Sequence, residues 1–188
     1  MNIILASASP RRRELLEMLG VGFRIIPAEN ELSPEGLSPE RTVMATAMGK
    51  AEDAAKRAGK NTLVIGADTL VYDGGAALGK PKNEEDAFNM LQRLSGREHQ
   101  VYTGVALIHG DRRETRFEKT NVKFGELSDD EIRRYIATGE PMDKAGAYGA
   151  QGRGAVFIER IDGDFFNVMG LPLHLLSKML KDFGVTLL

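Results

Sequence analysis

The stretch TLVIGADT, residues 62–69, decides the fold. Its first five residues, Thr62 to Gly66, form a nearly continuous apolar run, as expected of a strand that is buried on both faces. That strand delivers Asp68 at its carboxyl end, where sites often lie in α/β proteins. A carboxylate in this position must be capped, paired or metal-bound, because burying a charge without a partner is costly. The alternative is that Asp68 only caps a turn.

The segments before this strand predict alternating strands and helices. A strand at 2–6 leads into Ser9-Pro10, an N-cap hydroxyl followed by proline at the first helical position, and Gly20 ends that helix. A short strand follows at 21–27, and 33–39 is a loop. A longer helix, capped by Ser38, is predicted at about 39–57 and carries Lys50. This order is typical of an α/β fold.

The segments after the strand predict a sheet that is not purely parallel. The runs 100–108 and 114–124 are strand-like, and the turn at 109–112 makes them a long antiparallel hairpin. The other predicted elements are a turn at 73–75, a loop at 78–81, an Asn83-capped helix closed by Gly96, a capping-box helix from Ser128 to Gly139, a hairpin about 162–164 and a helix from Pro172.

Composition bounds the function. The chain has 188 residues, 42% of them apolar, and its formal net charge is −2, so it lacks the basic field that duplex-binding proteins use. It has no cysteine, which removes disulfides, thiolate nucleophiles and zinc–thiolate sites and suggests a reducing compartment. No leader and no membrane-length apolar run is recognised. We expect one cytoplasmic domain with no nucleic-acid or membrane partner.

Three adjacent arginines, Arg11, Arg12 and Arg13, lie in the predicted first turn of the first helix. Each cation is unfavourable there by about 0.3–1 kcal/mol, because the helix dipole already makes that end positive. A bound anion reverses the sign, since free N–H groups, the hydroxyls of Ser7 and Ser9 and guanidinium groups together make a phosphate site. The alternative is that the arginines are solvated and pair with nearby glutamates.

Two other kinds of site are excluded by their motifs. Residues 74–81, GGAALGKP, nearly match a P-loop, but proline replaces the required hydroxyl residue, which excludes a Walker NTPase. Lys80 remains a candidate phosphate-binding cation. The three histidines, His99, His109 and His174, are scattered without metal-site spacing, so ordinary packing is expected of each. The remaining candidates are two carboxylates, Asp68 and Glu31. Carboxylates with several cations indicate a Mg²⁺-nucleotide site.

Five motifs, in order, resemble the Maf family of nucleoside triphosphate pyrophosphatases. They are LASASPRRRELL at 5–16, GADT at 66–69, GKP at 79–81, LSG at 94–96 and DKAGAYGAQG at 143–152. The resemblance spans nearly the whole chain. It implies an α/β fold with a central mixed, strongly twisted sheet flanked by helices, in two lobes around a cleft, related to inosine triphosphatases. It also implies a homodimer.

The resemblance further implies hydrolysis of a nucleoside triphosphate to the monophosphate and pyrophosphate, with a divalent metal cation such as Mg²⁺ or Mn²⁺. By position, Asp68 matches the proton acceptor that activates water. The resemblance implies that Glu31 and Asp68 bind the metal. It implies that the basic and hydroxyl residues of the site bind the phosphates: Ser7, Arg11, Arg12, Lys50, Lys80 and Lys144.

Three positions, Arg11, Thr69 and Gln151, resemble the subgroup that acts on dTTP and UTP. Uracil and thymine present an acceptor beside a donor, and a glutamine amide offers the matching pair, with Thr69 to fix its orientation. The alternative for Gln151 is a solvent-facing residue in a loop that needs glycine for its turns. Two other functions remain open: a nucleotide-sensing regulator of cell division that acts by binding, and a pyrophosphatase of the 7-methyl-GTP type.

Overall fold

The computed structural model describes residues 1–29, 34, 36–59 and 61–187. The chain divides into two compact units. Unit 1 contains residues 1–68, 103–118 and 170–188, and unit 2 contains residues 69–102 and 119–169. Predicted site residues lie in both units.

The strands form a seven-stranded mixed sheet in the order β2-β1-β3-β5-β6-β7, with β4 paired to β3. Strand β1 runs parallel to both β2 and β3, whereas the pairs β3–β4 and β6–β7 are antiparallel. The strands are β1 (Asn2–Leu5), β2 (Phe23–Ile25), β3 (Thr62–Tyr72), β4 (Ala77–Leu78), β5 (Glu98–His109), β6 (Arg112–Phe124) and β7 (Ile158–Asp162). The expected α/β class with a mixed sheet, including the β5–β6 hairpin, is confirmed.

Six α-helices accompany the sheet in the described part of the chain: α1 (Pro10–Glu17), α2 (Pro39–Arg57), α3 (Glu84–Leu94), α4 (Asp129–Ile136), α5 (Phe165–Met169) and α6 (Leu173–Asp182). The starts of α1, α3 and α4 follow capping residues in the sequence, whereas Ser38, which was predicted to cap α2, precedes that helix without a side-chain cap hydrogen bond. The Ser9 and Asn83 side chains accept from main-chain N–H groups of the first turn, and Ser128 and Glu131 form a reciprocal capping box. The predicted bounds of α2 are confirmed.

In unit 1, α2 lies unusually close to the sheet. A Cβ atom added at Gly66 of β3 would lie 2.2 Å from the Ala47 carbonyl oxygen, and one at Gly104 of β5 would lie 2.3 Å from the Val43 carbonyl oxygen. Both glycines therefore allow main chain to meet main chain, which no residue with a side chain permits. Alanines on the buried face of α2 complete this approach. The helix that carries Lys50 is thus seated directly on the strand that carries Asp68.

In unit 2, aromatic and aliphatic side chains from α3, α4 and β6 build a separate core. Phe124, Tyr148 and Phe157 pack edge to face or tilted, with ring centroids 4.8–6.0 Å apart. Three short 3-10 turns, Glu140–Asp143, Ala145–Ala147 and Arg153–Phe157, follow α4. They carry the glycine-rich stretch along this core.

Two predictions about the strands are wrong. Strand β3 does not end at Gly66 but continues to Tyr72, because its far end pairs with β4 at residues predicted to be loop. The expected hairpin about 162–164 is absent: β7 ends at Asp162, and Asp164 accepts from the main-chain N–H groups of Phe166 and Asn167, which starts α5 instead.

Within the residues that the structure describes, no helix combines the length and apolar character needed to cross a membrane.

Candidate functional site

The start of α1 brings together Arg12 and Ser7, as the phosphate prediction requires. Arg12 donates from Nε to the Gly170 carbonyl oxygen at 2.8 Å and from Nη1 to the buried Ser7 hydroxyl at 3.3 Å. Ser9 caps the same turn. The Arg12 guanidinium is therefore held at the end of the helix where N–H groups are not used by the helix itself. Arg11 lies next to it and is half-buried.

Arg13 behaves differently from its two neighbours. It is exposed and donates from Nε to the Glu17 carboxylate, one turn along α1, at 2.8 Å. Pairing with a nearby glutamate, the alternative considered for all three arginines, is thus the arrangement of Arg13. An exposed pair of this kind contributes little stability.

Lys50 and Asp68 form the central ion pair of unit 1. Lys50 reaches from the buried face of α2 and donates from Nζ to Asp68 Oδ1 at 2.8 Å. The Lys50 side chain is 9% exposed and that of Asp68 is 20% exposed. The sequence required Asp68 to be capped, paired or metal-bound, and the structure shows it paired with the Lys50 ammonium. Asp68 caps no turn, because β3 runs on through it.

Asp68 fits a divalent cation of the kind that substrate phosphates help to hold. Among the described residues, no three Asp, Glu, His or Cys side chains cluster closely enough to bind an ion by themselves. Mg²⁺ commonly uses one or two protein carboxylates and completes its shell with water and substrate phosphate. Asp68 supplies one such carboxylate. The predicted second ligand, Glu31, lies outside the described residues.

Unit 2 holds the other predicted site residues. Thr69 follows Asp68 on β3, and the exposed Lys80 follows β4. The loop of Lys80 is tied to the glycine-rich stretch, because the Gly146 N–H donates to the Gly79 carbonyl oxygen at 3.0 Å. Lys144 donates from Nζ to the Glu140 carbonyl oxygen and to the Asp143 carboxylate, both at 2.6 Å. Gln151 is exposed at the tip of the stretch.

The sequence reasoning missed two residues that hold this stretch, Tyr135 and Glu140. Glu140 accepts from the main-chain N–H groups of Arg153 at 3.0 Å and Gly154 at 3.2 Å, and from the Tyr135 hydroxyl at 2.9 Å. That hydroxyl accepts in turn from the Gly149 N–H at 3.0 Å. In the sequence, Glu140 is indistinguishable from a solvent-exposed acidic residue of a loop. The signal that could have indicated its role is the density of glycines that follow it, whose main-chain N–H groups need acceptors.

Glu140 is charged at neutral pH despite its surroundings. Burial opposes its ionisation, but the N–H groups of Arg153 and Gly154, the Tyr135 hydroxyl and the Lys144 ammonium outweigh burial and lower the pKa of this carboxyl. Burial, together with the neighbouring Glu140 charge, raises the pKa of Tyr135. The tyrosine therefore keeps its proton and can donate to the carboxylate.

His99 is packed in the core of unit 2, as expected of a histidine without a metal site. It is fully buried, its Nε2 lies 2.9 Å from the Tyr148 hydroxyl, and its ring meets Phe124 edge on. Burial lowers the pKa of His99 from 6.5 to about 4. The imidazole is therefore neutral at physiological pH and belongs to the core.

Comparison with known proteins shows the family. The chain belongs to the Maf family: the family model described as "Maf-like protein" matches residues 2–183. A protein of Caldicellulosiruptor bescii named dTTP/UTP pyrophosphatase is 50% identical over 192 residues, covering 99% of this chain and 96% of that protein. One of Bacillus cereus with the same name is 50% identical over 184 residues, covering 97% and 96%.

The fold has a counterpart among solved structures. A HAM1 protein from Coxiella burnetii matches with a TM-score of 0.55 at 16% sequence identity, covering 97% of this chain and 99% of that one. At this identity the likeness concerns the fold alone.

Proposed function

We propose that the chain hydrolyses dTTP and UTP between the α and β phosphates and releases the nucleoside monophosphate and pyrophosphate. The observation that carries this proposal is the full-length similarity, at 47–50% identity, to proteins named dTTP/UTP pyrophosphatase. The paired Lys50 and Asp68 and the arginine at the start of α1 supply the chemical groups that this reaction needs.

In this reaction Asp68 is the proton acceptor. Lys50 holds Oδ1, and the carboxylate accepts a proton from the attacking water, whose oxygen forms a bond to the α phosphorus. The bond from that phosphorus to the bridging oxygen breaks, and pyrophosphate leaves. Because β3 is buried up to this residue, the carboxylate is held on a rigid support.

The remaining unit 1 residues bind phosphate. Ser7, Arg11 and Arg12 contact phosphate oxygens, since a hydroxyl and guanidinium groups at a helix start match an anion. Lys80 and Lys144 of unit 2 have the same role. Glu31 and Asp68 hold the divalent cation, which when bound neutralises charge that develops on the phosphates.

Base recognition falls to Gln151, with Thr69 and Arg11. The amide of Gln151 donates to O4 of uracil or thymine and accepts from N3–H. In Gln151→Glu the donor becomes a carboxylate that faces O4, so we expect kcat/KM for UTP and dTTP to fall at least about tenfold. An equal fall for CTP and GTP would indicate loop disruption in place of base reading.

The test is a nucleotide panel with Mg²⁺ or Mn²⁺ that scores pyrophosphate against inorganic phosphate. We expect pyrophosphate, with UTP and dTTP turned over fastest. Nucleotide binding without turnover would identify the sensing regulator, and a preference for 7-methyl-GTP would identify the other type of pyrophosphatase. Either outcome overturns the proposal.

The proposal includes a homodimer in the cytoplasm. Light scattering on the purified chain tests for the dimer, and fractionation of the source cells tests the cytoplasmic location.

A further inference from the structure

The glycine-rich stretch is held from both sides of Gln151. On one side the Gly149 N–H donates to the Tyr135 hydroxyl at 3.0 Å, and on the other side the N–H groups of Arg153 and Gly154 donate to the Glu140 carboxylate. The two side chains are joined by their own hydrogen bond of 2.9 Å. Two connected side chains therefore fix the main chain before and after the exposed glutamine.

The glycines of this stretch serve close approach more than turning. A Cβ at Gly152 would lie 2.4 Å from Glu140 Oε1, and one at Gly154 would lie 2.8 Å from the Tyr135 hydroxyl. Gly152 has φ −113°, which any residue can adopt. A side chain at either position would displace the carboxylate or the hydroxyl from the hydrogen bonds that it makes to the stretch.

The bonds are strong enough to matter. Glu140 is ionised, and an N–H group that donates to a charged carboxylate makes a stronger bond than one that donates to a neutral acceptor. The Gly152 N–H also donates to the Gly149 carbonyl oxygen at 3.2 Å, which closes the turn around Gln151. The tip that carries the glutamine is thus a braced turn.

We propose that Glu140 and Tyr135 are positioning residues for base recognition: by bracing the main chain around Gln151 they set the direction in which its amide meets the base. This inference rests on the proposed function. Neither residue contacts the nucleotide, and both act through the loop. Discrimination among bases should therefore depend on them, whereas the chemistry at Asp68 should not.

Two conservative variants test the inference. Glu140→Gln replaces one acceptor oxygen by an NH₂ group that faces a main-chain donor, and Tyr135→Phe removes the hydroxyl but keeps the ring that packs on Phe157 at 5.0 Å. The readout is the ratio of UTP to GTP, measured both as kcat/KM and as Kd. We expect this ratio to fall about tenfold in Glu140→Gln and about threefold in Tyr135→Phe.

Matched controls make the same chemical changes without touching the stretch. Glu131→Gln alters a carboxylate that caps α4, and Tyr102→Phe removes the hydroxyl of a buried tyrosine on β5. Both should keep the wild-type UTP to GTP ratio. Hydrogen exchange at the Gly149 and Gly154 amides gives a second measurement, and we expect exchange to be faster in Tyr135→Phe than in the wild type. This measurement tests the inference even if Glu140→Gln folds poorly.

The outcomes separate the inference from the proposed function. A wild-type chain that prefers UTP in binding but releases no pyrophosphate refutes the function, and the Kd ratio still tests the bracing. If Gln151→Glu reorders the nucleotides and neither Glu140→Gln nor Tyr135→Phe does, the inference is overturned. It is also overturned if the wild type shows no preference or if the control variants lower the ratio as much.

Discussion

Replacing Gly66 by alanine pushes a methyl group into the backbone of α2. The new Cβ would lie 2.2 Å from the Ala47 carbonyl oxygen and 2.9 Å from the Ala51 Cβ, so strand and helix must separate by roughly 1 Å. Overpacking of this kind costs about 1–3 kcal/mol, and main-chain atoms cannot rotate away as a side chain would. We expect a value near the upper end and a fall in Tm of about 4–12 °C.

The same shift moves Lys50 away from Asp68, because one lies on the displaced helix and the other lies two residues beyond the substituted glycine. A misplacement of about 1 Å can cost 10²-fold in rate. The assay is calorimetry for Tm, together with kcat for UTP at a temperature where the variant is fully folded. We expect kcat to fall by about this factor.

Gly79→Ala is the matched control. Nothing lies within 4 Å of a Cβ at Gly79, and its φ is outside the left-handed region, so the same substitution should leave Tm unchanged or slightly higher. Equal Tm values for the two variants would refute the reasoning from close approach. A destabilised Gly66→Ala with wild-type kcat would refute the link to the ion pair.

Three further results are expected. Asp68→Asn should lower kcat by about 10²–10⁴-fold and also lower Tm, because the buried Lys50 loses its charged partner, and full activity of the folded variant would exclude a base at this position. Arg12→Ala should weaken binding of UTP and GTP equally, by about tenfold, and a changed order of nucleotide preference in this variant would contradict its role in phosphate binding. Arg13→Ala loses a bond to Glu17 and should change the binding of neither nucleotide. His99 should titrate near pH 4 by NMR, and a midpoint near 6.5 would contradict its burial. Because burial lowers its pKa in the folded state, the contribution of His99 to the free energy of unfolding is complete above pH 6.5 and falls by up to about 3 kcal/mol as the pH is lowered to 4.

The sequence predicted elements whose causes are local. Helix α2 has a proline at its start, a serine before it and a buried face of small residues, and its predicted bounds match the structure. The hairpin of β5 and β6 follows from two long strand-like runs and a short turn. The pairing of Lys50 with Asp68 was not predicted as a contact, although both residues were predicted for the site.

Where distant partners decide, local pattern was not enough. The length of β3 depends on β4, whose two residues look like loop, and the role of Asp164 depends on a helix too short to show periodicity. Glu140 and Tyr135 were missed because their partners are main-chain N–H groups, whose only trace in the sequence is the density of glycines in the stretch.

The seat of α2 has a consequence for how this chain tolerates change. Gly66 and Gly104 meet the carbonyls of Ala47 and Val43, which are one helical turn apart, so the helix rests on main-chain atoms at two successive turns. Main-chain contact and the small side chains of Ala47 and Ala51 set this spacing, so exchanges among the larger aliphatic residues outside the contact should leave the lysine where it is. A designer seeking a more heat-resistant variant can therefore repack those larger aliphatic residues, provided that the two glycines and the alanines that face them are kept.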